Sequence, residues 1–397
     1  MKTCNLGATY GVKRHRWLIL AGVLVIVGVG VAWRSDPLPT DDSTLIGTIL
    51  GNGDHADFER AYAPKTWHFP EDHGPHPRYK AEWWYLTGNL FAVDTGRHFG
   101  YECTLFRFAL ATHAKERPSP WGTTQVHMGH LALTDSKQGA FHHFQRFSRV
   151  ALDLAGAVAD PFRVWLGDWS LVGTGGTPEQ PSMHLEARHE GVAVELSLVA
   201  TKPVVLQGDH GLSRKSPEPG NASHYYSLPR LATTGWVVAR GERFQVSGLS
   251  WFDREWSTSS LAENQEGWDW FALQLGDGWD LMVYRMREKS APSSFTSGGT
   301  LIDPEGKVTI LADDAVVVAS SESWRSPTTG IPYPSQWHLR IPARNLDVTI
   351  TPWLADQELN RTMVRYWEGA VRIHGNHGLH PVQGNGYVEL AGYGRKK

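Results

Sequence analysis

The sequence predicts an all-β protein built from barrels or sandwiches, and three observations support this. The 397 residues include 18 Trp, 14 Phe and 12 Tyr together with 41 Gly and 23 Pro, so large flat side chains alternate with frequent turn formers. Stretches such as 192–198 (VAVELSL) and 346–350 (LDVTI) alternate apolar and polar residues, as half-buried strands do. Turn-forming clusters, among them 173–178 and 217–223, separate these stretches, and no long amphipathic helical pattern occurs after residue 65.

An uncharged segment, residues 17–33, lies between Arg16 and Arg34 near the N-terminus. As a helix it would span about 25 Å, enough for a thin bilayer, and a Trp stands at each of its ends. Lys and Arg precede the segment and Asp residues follow it, so the positive-inside rule keeps the N-terminus in the cytoplasm. We therefore expect a cytoplasmic N-terminus and an uncleaved transmembrane anchor over residues 1–33, followed by a linker at 34–64.

This anchor predicts a single-pass inner-membrane protein whose bulk is periplasmic or otherwise extracytoplasmic. A cleaved signal peptide is the main alternative, and it would give a secreted protein. Its cleavage site would have to be Gly28-Val29-Gly30, which is a poor one. A buried core helix is a further alternative.

The strand patterns recur once along the chain. The matching segments are EWWYL (82–86) with LFR (105–107), and DWFAL (269–273) with VYR (283–285). Each pair is followed by a further strand that ends in an acidic turn. The shared order favours two related β-domains over one long sheet. We place the domains at residues 65–257 and 265–397, because the intervening STSSLAENQ has no strand pattern.

Five motifs give the chain a resemblance to a known family. They are KAEWWYLTGNL (80–90), HYYSLPRL (224–231), SGLSWFDREWS (247–257), GWDWFALQL (267–275) and GYVELAGY (386–393). Together they resemble the bacterial lipocalin-like family of carotenoid 1,2-hydratases and AttH-type proteins, the latter also called predicted secreted hydrolases. The resemblance covers about residues 65–397. It implies two tandem lipocalin-like antiparallel β-barrels and export from the cytoplasm. For many AttH-type members it also implies encoding beside an ABC transporter, which is the expected partner.

The segment 251–256 (WFDREW) holds the strongest candidate for chemistry. On a strand, Trp251, Asp253 and Glu255 share one face. A carboxyl buried beside an indole and near a second carboxylate has a raised pKa, so Asp253 could stay protonated near neutral pH and act as a general acid. Hydration of an isolated alkene needs such a donor, and aromatic faces stabilise the carbocation that forms.

The resemblance places the acid of the hydratases on Asp253, with His224, Tyr226 and Trp251 around it. Two of these depart from the hydratase pattern, since Tyr226 stands where a Trp is expected and Trp251 where a Tyr is expected. The alternative interpretation is structural: Asp253 and Glu255 would form ion pairs with Arg residues and close the junction of the two domains.

A small barrel needs far fewer than 18 Trp, so some of them should line a ligand pocket. We predict that the ligand contacts Trp84, Glu255, Trp268 and Trp270. Three further carboxylates flanked by aromatic residues are expected to contact Arg107 or Arg285 instead. They are Glu82, Asp269 and Glu389.

Several function classes are disfavoured. The net charge of −3 gives no reason to expect nucleic acid as a partner. The sequence contains no G-x-S-x-G elbow, no H-E-x-x-H and no phosphate-binding Gly-loop with Lys, and we expect neither cofactor nor metal. The group His374, His377 and His380 could hold a metal ion geometrically, but a solvated hairpin explains it as well.

Two hypotheses of function remain. In the first, the domain pair encloses an isoprenoid or lipid-like ligand and Asp253 protonates it, as in acid-catalysed alkene hydration. In the second, the same cavity binds or presents a lipid-like ligand for a transporter without chemistry. A hydrolase of unknown substrate is a further alternative. The two main hypotheses differ in whether Asp253 faces the cavity or is held by an Arg.

Overall fold

The computed structural model describes residues 57–112, 119–258, 261–262, 264–289, 295–363 and 365–394, without the side chains of 295–297. The predicted anchor at 17–33 and residues 34–56 of the linker lie outside the described residues, so both stay predictions. Within the described ranges no helix is long and apolar enough to cross a bilayer.

The first sheet contains thirteen strands, all from residues before 258. Its long strands are β1 (Ala81–Ala92), β2 (His98–Ala109), β3 (Gln125–Asp135), β4 (Ala140–Arg149), β12 (Ala222–Ala239) and β13 (Glu242–Ser257). Its shorter strands are β5 (Ala155–Ala159), β6 (Phe162–Leu166), β7 (Trp169–Thr177), β8 (Gln180–His189), β9 (Val192–Ala200), β10 (Val205–Leu206) and β11 (Leu212–Arg214).

The second sheet contains ten strands, all from residues after 264. They are β14 (Gln265–Leu275), β15 (Asp280–Glu288), β16 (Phe295–Ile302), β17 (Val308–Leu311), β18 (Val317–Arg325), β19 (Pro332–Ile341), β20 (Leu346–Pro352), β21 (Glu358–Leu359), β22 (Tyr366–His377) and β23 (His380–Ala391). Two 3₁₀ turns, Glu71–His73 and Pro342–Arg344, are the only helical elements among the described residues.

Both sheets are antiparallel and share a connection pattern. In the first, β1 pairs with β2 and with the last strand, β13; in the second, β14 pairs with β15 and with the last strand, β23. Each sheet curls around a core of its own. The fold class expected from the sequence is therefore confirmed: an all-β chain made of two antiparallel barrels or half-barrels. The exact domain bounds stay a prediction.

Alternation along the strands explains the two cores. In β9 every second residue is buried, as the pattern at 192–198 predicts. The central strands β1, β2 and β13 differ, because residues on both of their faces are buried. One face covers the core of the first sheet, and the other packs against the second sheet.

The two sheets meet along a third apolar cluster, which we call the seam: Tyr85, Val205, Tyr225, Trp251, Trp270, Ala272, Met282, Ile302, Ala370 and Tyr387, with Trp83, Trp268, Tyr284 and Trp353 packed against it. Contact is close at Gly100 in β2, where a Cβ atom would lie 2.4 Å from the Cβ of Ala370 in β22. Only a residue without a side chain fits there. Polar bonds also cross the seam, such as that from Asn89 Nδ2 to the Gly386 carbonyl (2.9 Å).

Candidate active site

A largely apolar cavity of about 190 Å³ lies in the seam, between the sheets and outside both barrel cores. The first sheet contributes strands β1, β2, β3, β12 and β13, and the second contributes β14, β15, β22 and β23. The lining residues are Trp83, Tyr85, Thr104, Phe106, Phe108, Met128, His130, Lys215, Tyr225, Asp253, Glu255, Ser257, Leu261, Trp268, Trp270, Tyr284, Met286, Tyr366, Glu368 and Glu389.

Asp253 lies on β13 with its carboxyl in the wall of this cavity. Residues directly opposite each other in an antiparallel pair share a face, and Ser227 of β12 is opposite Asp253. Tyr225 is opposite Glu255 in the same pair. The register therefore brings Tyr225, Ser227, Asp253 and Glu255 together on the face that meets the second sheet.

Three neutral groups donate hydrogen bonds to Asp253. The Trp251 indole Nε1 donates to Oδ1 (2.7 Å), the Ser227 hydroxyl also donates to Oδ1 (2.5 Å), and the Tyr225 hydroxyl donates to Oδ2 (2.7 Å). Tyr225 in turn accepts from Trp270 Nε1 (3.2 Å), and Ser227 accepts from the Gln207 amide (2.8 Å). Each hydroxyl thus has its own proton left for Asp253.

Burial raises the pKa of Asp253 to about 7. Hydrogen bonds from Ser227, Tyr225 and Trp251 favour the ionised form and oppose the rise, whereas the nearby charge of Glu255 adds to it. Glu255 is held by Lys215 at 2.8 Å and by the Ser223 hydroxyl. Lys215, the cation at this end of the cavity, therefore pairs with Glu255, and the main groups acting on Asp253 are three neutral donors and the like charge of Glu255.

The second sheet brings two further carboxyls to the cavity. Glu368 of β22 and Glu389 of β23 stand opposite each other in the strand pair and share the cavity face. Burial, with Glu102 and Glu389 close by, raises the pKa of Glu368 well above its ordinary value. The pKa of Glu389 rises to about 7 through burial and the charges of Glu255 and Asp253, while the Trp268 indole opposes the rise. Burial likewise raises the pKa of Glu102 to about 8.

A chain of hydrogen bonds holds Glu368 in place. The Met363 N–H donates to Gln145 Oε1 (3.0 Å), so the amide of Gln145 turns its nitrogen towards His130 Nε2 (2.8 Å). His130 is then neutral with its proton on Nδ1, which contacts the Tyr366 hydroxyl. Burial agrees with this, because it lowers the pKa of His130 to about 3. Tyr366 and Tyr85 both donate to Glu368.

The residues singled out from the sequence fall into two groups, those at the cavity and those away from it. Asp253, Glu255, Trp268 and Trp270 line the cavity, and Trp251 contacts Asp253 directly. His224, Tyr226 and Trp84 do not line the cavity. The expectation that His224 and Tyr226 lie within reach of Asp253 needs correction, because they face the opposite side of β12.

These three residues belong to the core side of the first sheet. Tyr226 and Trp84 are part of its core, where the Tyr226 hydroxyl bonds His73 Nδ1 (2.6 Å) and Trp84 Nε1 donates to the His73 carbonyl (2.8 Å). The His224 ring packs against Trp67 and Trp256. Their places on the cavity side are taken by the chain neighbours Tyr225 and Trp83.

The other three carboxylates flanked by aromatic residues also have different environments. Glu82 is fully buried and paired with Arg107, as expected, and additionally with Arg254. Asp269 pairs with Arg287, and the charge of Arg285 also acts on it. Glu389 was expected to contact an Arg, but it lines the cavity instead. In the part of the chain that the structure describes, no group of three His, Cys, Asp or Glu side chains is placed to hold a metal ion.

Sequence reasoning missed Tyr225, Ser227, Tyr85 and Glu368. Tyr225 and Ser227 have a signal in the sequence, since HYYS alternates, but its use requires the register of β12 against β13. For Tyr85 and Glu368 the signal would be a pairing between residues 283 positions apart, which no local pattern contains.

Comparison with known proteins gives a consistent result. The AttH-like family model matches residues 60–393. A crystal structure of an AttH protein from Nitrosomonas europaea is 34% identical, with 85% of this chain and all of that chain covered and a TM-score of 0.75. Comparison with curated proteins gives no match.

Two more distant structures share the fold. Kievitone hydratase from Nectria haematococca is 16% identical, with a TM-score of 0.62 over 85% of this chain and 98% of that one. CghA, crystallised with Sch210972, is 13% identical, with a TM-score of 0.53 over 87% of this chain and 98% of that one. With the family model spanning the described sheets and a 34% identical relative covered in full, the chain belongs to the AttH-like family.

Proposed function

We propose that the protein hydrates an alkene in a hydrophobic, isoprenoid-like ligand, with Asp253 as the general acid. One observation carries the proposal: a buried carboxyl with a pKa of about 7 lies in the wall of an apolar cavity, held by neutral donors. A general acid works best when its pKa lies near the working pH. An Arg-paired carboxylate, the structural alternative, would have its pKa lowered instead.

The surroundings of Asp253 suit the chemistry. Proton transfer from Asp253 to one alkene carbon leaves a carbocation on the other. Trp83, Trp268 and Trp270 surround that cation with electron-rich rings, which attract positive charge. Addition of water to the cation, with loss of one proton, gives the alcohol. The fold is compatible with this role, because it is shared with a protein named kievitone hydratase.

The test uses geranylgeraniol, an acyclic isoprenoid whose terminal double bond is trisubstituted, incubated in ¹⁸O-labelled water. We expect an alcohol carrying one ¹⁸O atom by mass spectrometry. Asp253→Asn should reduce its formation by about 10²–10⁴-fold, the usual worth of a general acid, while leaving ligand binding and folding intact. An active Asp253→Asn variant would exclude Asp253 as the acid.

Binding without chemistry is the second candidate, since the lining of the cavity is mostly aromatic and aliphatic. It predicts that ligand extracted from purified protein is uniform and unaltered, and that Asp253→Asn binds it equally well. Hydrolysis of an unknown substrate is the weaker alternative, because the chain has no G-x-S-x-G elbow.

The proposed site of action is the extracytoplasmic face of the inner membrane, with residues 17–33 as an uncleaved anchor and an ABC transporter as partner. The charge asymmetry around the segment supports this orientation. Membrane fractionation with N-terminal sequencing tests it: we expect the full chain in the membrane pellet. A soluble form beginning near residue 31 would favour the cleaved signal peptide.

A further inference from the structure

We propose that Glu389 is the second catalytic carboxyl of the cavity, the base that removes a proton from the attacking water. The inference rests on the proposed function, because it supplies the half of the hydration that Asp253 does not perform. Protonation of the alkene consumes an acid, and addition of water to the cation releases a proton that needs an acceptor.

The register of the two sheets places Glu389 across the cavity from Asp253. In the first sheet, strands β12, β13 and β1 run side by side and present Tyr225, then Asp253 and Glu255, then Tyr85. In the second sheet, β14, β23 and β22 run side by side. They present a row in register: Trp270, Glu389 and Glu368.

Two hydrogen bonds join these rows at their outer strands. Trp270 donates to Tyr225 on one side, and Tyr85 donates to Glu368 on the other. The middle strands of the two rows are then β13 and β23, so Glu389 faces the carboxyls of β13. The electrostatics agree, because the charges acting on Glu389 include those of Glu255 and Asp253.

Glu389 is the member of its cluster best suited to carry a negative charge. The carboxyls of Glu102, Glu368 and Glu389 lie close together, and like charges in a desolvated site do not all ionise. Of the three, Glu389 alone is partly exposed, and its side chain lines the cavity. Glu102 and Glu368 are fully buried, and burial raises the pKa of both.

In the proposed cycle Asp253 and Glu389 share one proton, because the charge of Asp253 raises the pKa of Glu389 and ionisation of both carboxyls is disfavoured. The charged and titratable groups that line the cavity around the pair are Lys215, Tyr225, Glu255, Tyr85 and His130 on the first sheet, and Tyr284, Tyr366 and Glu368 on the second. Lys215 is bound to Glu255, and its charge also lowers the pKa of Glu389.

The hydration balances with these two groups alone. The Asp253 O–H bond breaks, its proton and the alkene π electrons form a C–H bond, and the neighbouring carbon becomes a cation. A water oxygen forms the C–O bond, and its proton passes to the Glu389 carboxylate. Return of that proton from Glu389 to Asp253 restores the starting state, and the net reaction is alkene plus water to alcohol.

A partial reaction separates the two carboxyls. In D₂O, reversible protonation by Asp253 introduces deuterium into unreacted geranylgeraniol, whether or not water adds to the cation. We expect Glu389→Gln to lower hydration at least 100-fold while deuterium incorporation continues. Asp253→Asn should lose both. Glu102→Gln, a neighbouring buried carboxyl that does not line the cavity, is the matched control and should stay within threefold of wild type for both.

The outcomes distinguish this inference from the proposed function. Wild-type hydration by Glu389→Gln, or an equal loss of hydration and deuterium incorporation in that variant, would overturn the role of Glu389 alone. Deuterium incorporation that persists in Asp253→Asn, or a wild-type protein that neither hydrates nor exchanges the probe, would overturn the proposed function.

A measurement without substrate tests the coupling directly. Infrared spectroscopy follows the protonated carboxyl band as the pH is raised, and the shared proton predicts that removal of one carboxyl lowers the pKa of the other. We expect Glu389 to deprotonate at lower pH in Asp253→Asn than in the wild type. An unchanged titration would show that the two carboxyls do not share a proton and would contradict the inference.

Discussion

Glu82 and Asp253 look alike in the sequence, since each lies one or two residues from a Trp on a strand of the first sheet. Their environments are opposite. Burial acts to raise the pKa of Glu82, but Arg254 and Arg107 outweigh it and hold that pKa well below its usual range. Asp253 is equally buried and has neutral donors instead, so its pKa is raised. The face of the strand, rather than the local sequence, decides whether the carboxyl supports the fold or is available for chemistry.

Removal of the Glu82 charge should give the largest effect on stability. Glu82→Gln leaves two buried guanidinium groups without their partner, which costs about 3–5 kcal/mol of unfolding free energy. Denaturant unfolding measures this, with Asp253→Asn as the comparison variant at pH 6, where we expect a loss under about 1 kcal/mol. Equal losses in the two variants would mean that Asp253 also has a structural ionic role.

The pH dependence of stability should have opposite signs at the two positions. The folded pKa of Asp253 lies above its unfolded value, so its contribution to stability is present at low pH and is lost as the pH rises through about 7. Relative to wild type, Asp253→Asn should therefore gain about 2–4 kcal/mol between pH 4 and pH 8, at about 1.4 kcal/mol per pKa unit.

Glu82 behaves in the reverse sense. Its lowered pKa gives stability that is present above about pH 4.5 and is lost as the pH falls. Unfolding curves of wild type and both variants at several pH values check the two slopes. If the unfolding free energy of Asp253→Asn depended on pH as that of the wild type does, the result would contradict a raised pKa of Asp253.

Tyr225 and Tyr226, on opposite faces of β12, allow a second comparison of the two faces, with a smaller expected effect. Tyr225→Phe removes a donor that favours the ionised form of Asp253, so the pKa of Asp253 should rise further and the alkaline limb of hydration should move up by about one pH unit. Tyr226→Phe removes only the bond to His73 and should cost about 1 kcal/mol of stability without moving that limb. Equal shifts in both variants would argue against a specific role for Tyr225.

The sequence predicts the all-β fold, the repeated strand order and the proximity of Trp251 to Asp253, because each follows from local alternation. Which of two neighbouring aromatics faces the cavity does not follow. In β1 nearly every residue is buried, so the polar positions that would mark an outer face are absent, and Trp83 and Trp84 are equivalent by pattern. The choice between Tyr225 and Tyr226 fails for the same reason, and the family resemblance led to the residue on the wrong face.

The role proposed for Glu389 could not be predicted from the sequence around it, for a different reason. It depends on the register of β23 against β14 and β22, and on the docking of this sheet against the first. Such long-range pairings are set by the packing of the whole seam, as at Gly100 and Ala370, and not by residues near Glu389 in the chain.

The placement of the cavity in the seam has a consequence for how this family can diversify. The residues that shape the cavity, such as Phe106, Met128 and Met286, lie outside both barrel cores. Substitutions there can change the size and outline of the accepted ligand without disturbing the packing that keeps each sheet folded. A cavity of this kind can be reshaped at little risk to foldability, since the residues that line it are not those that form the two cores.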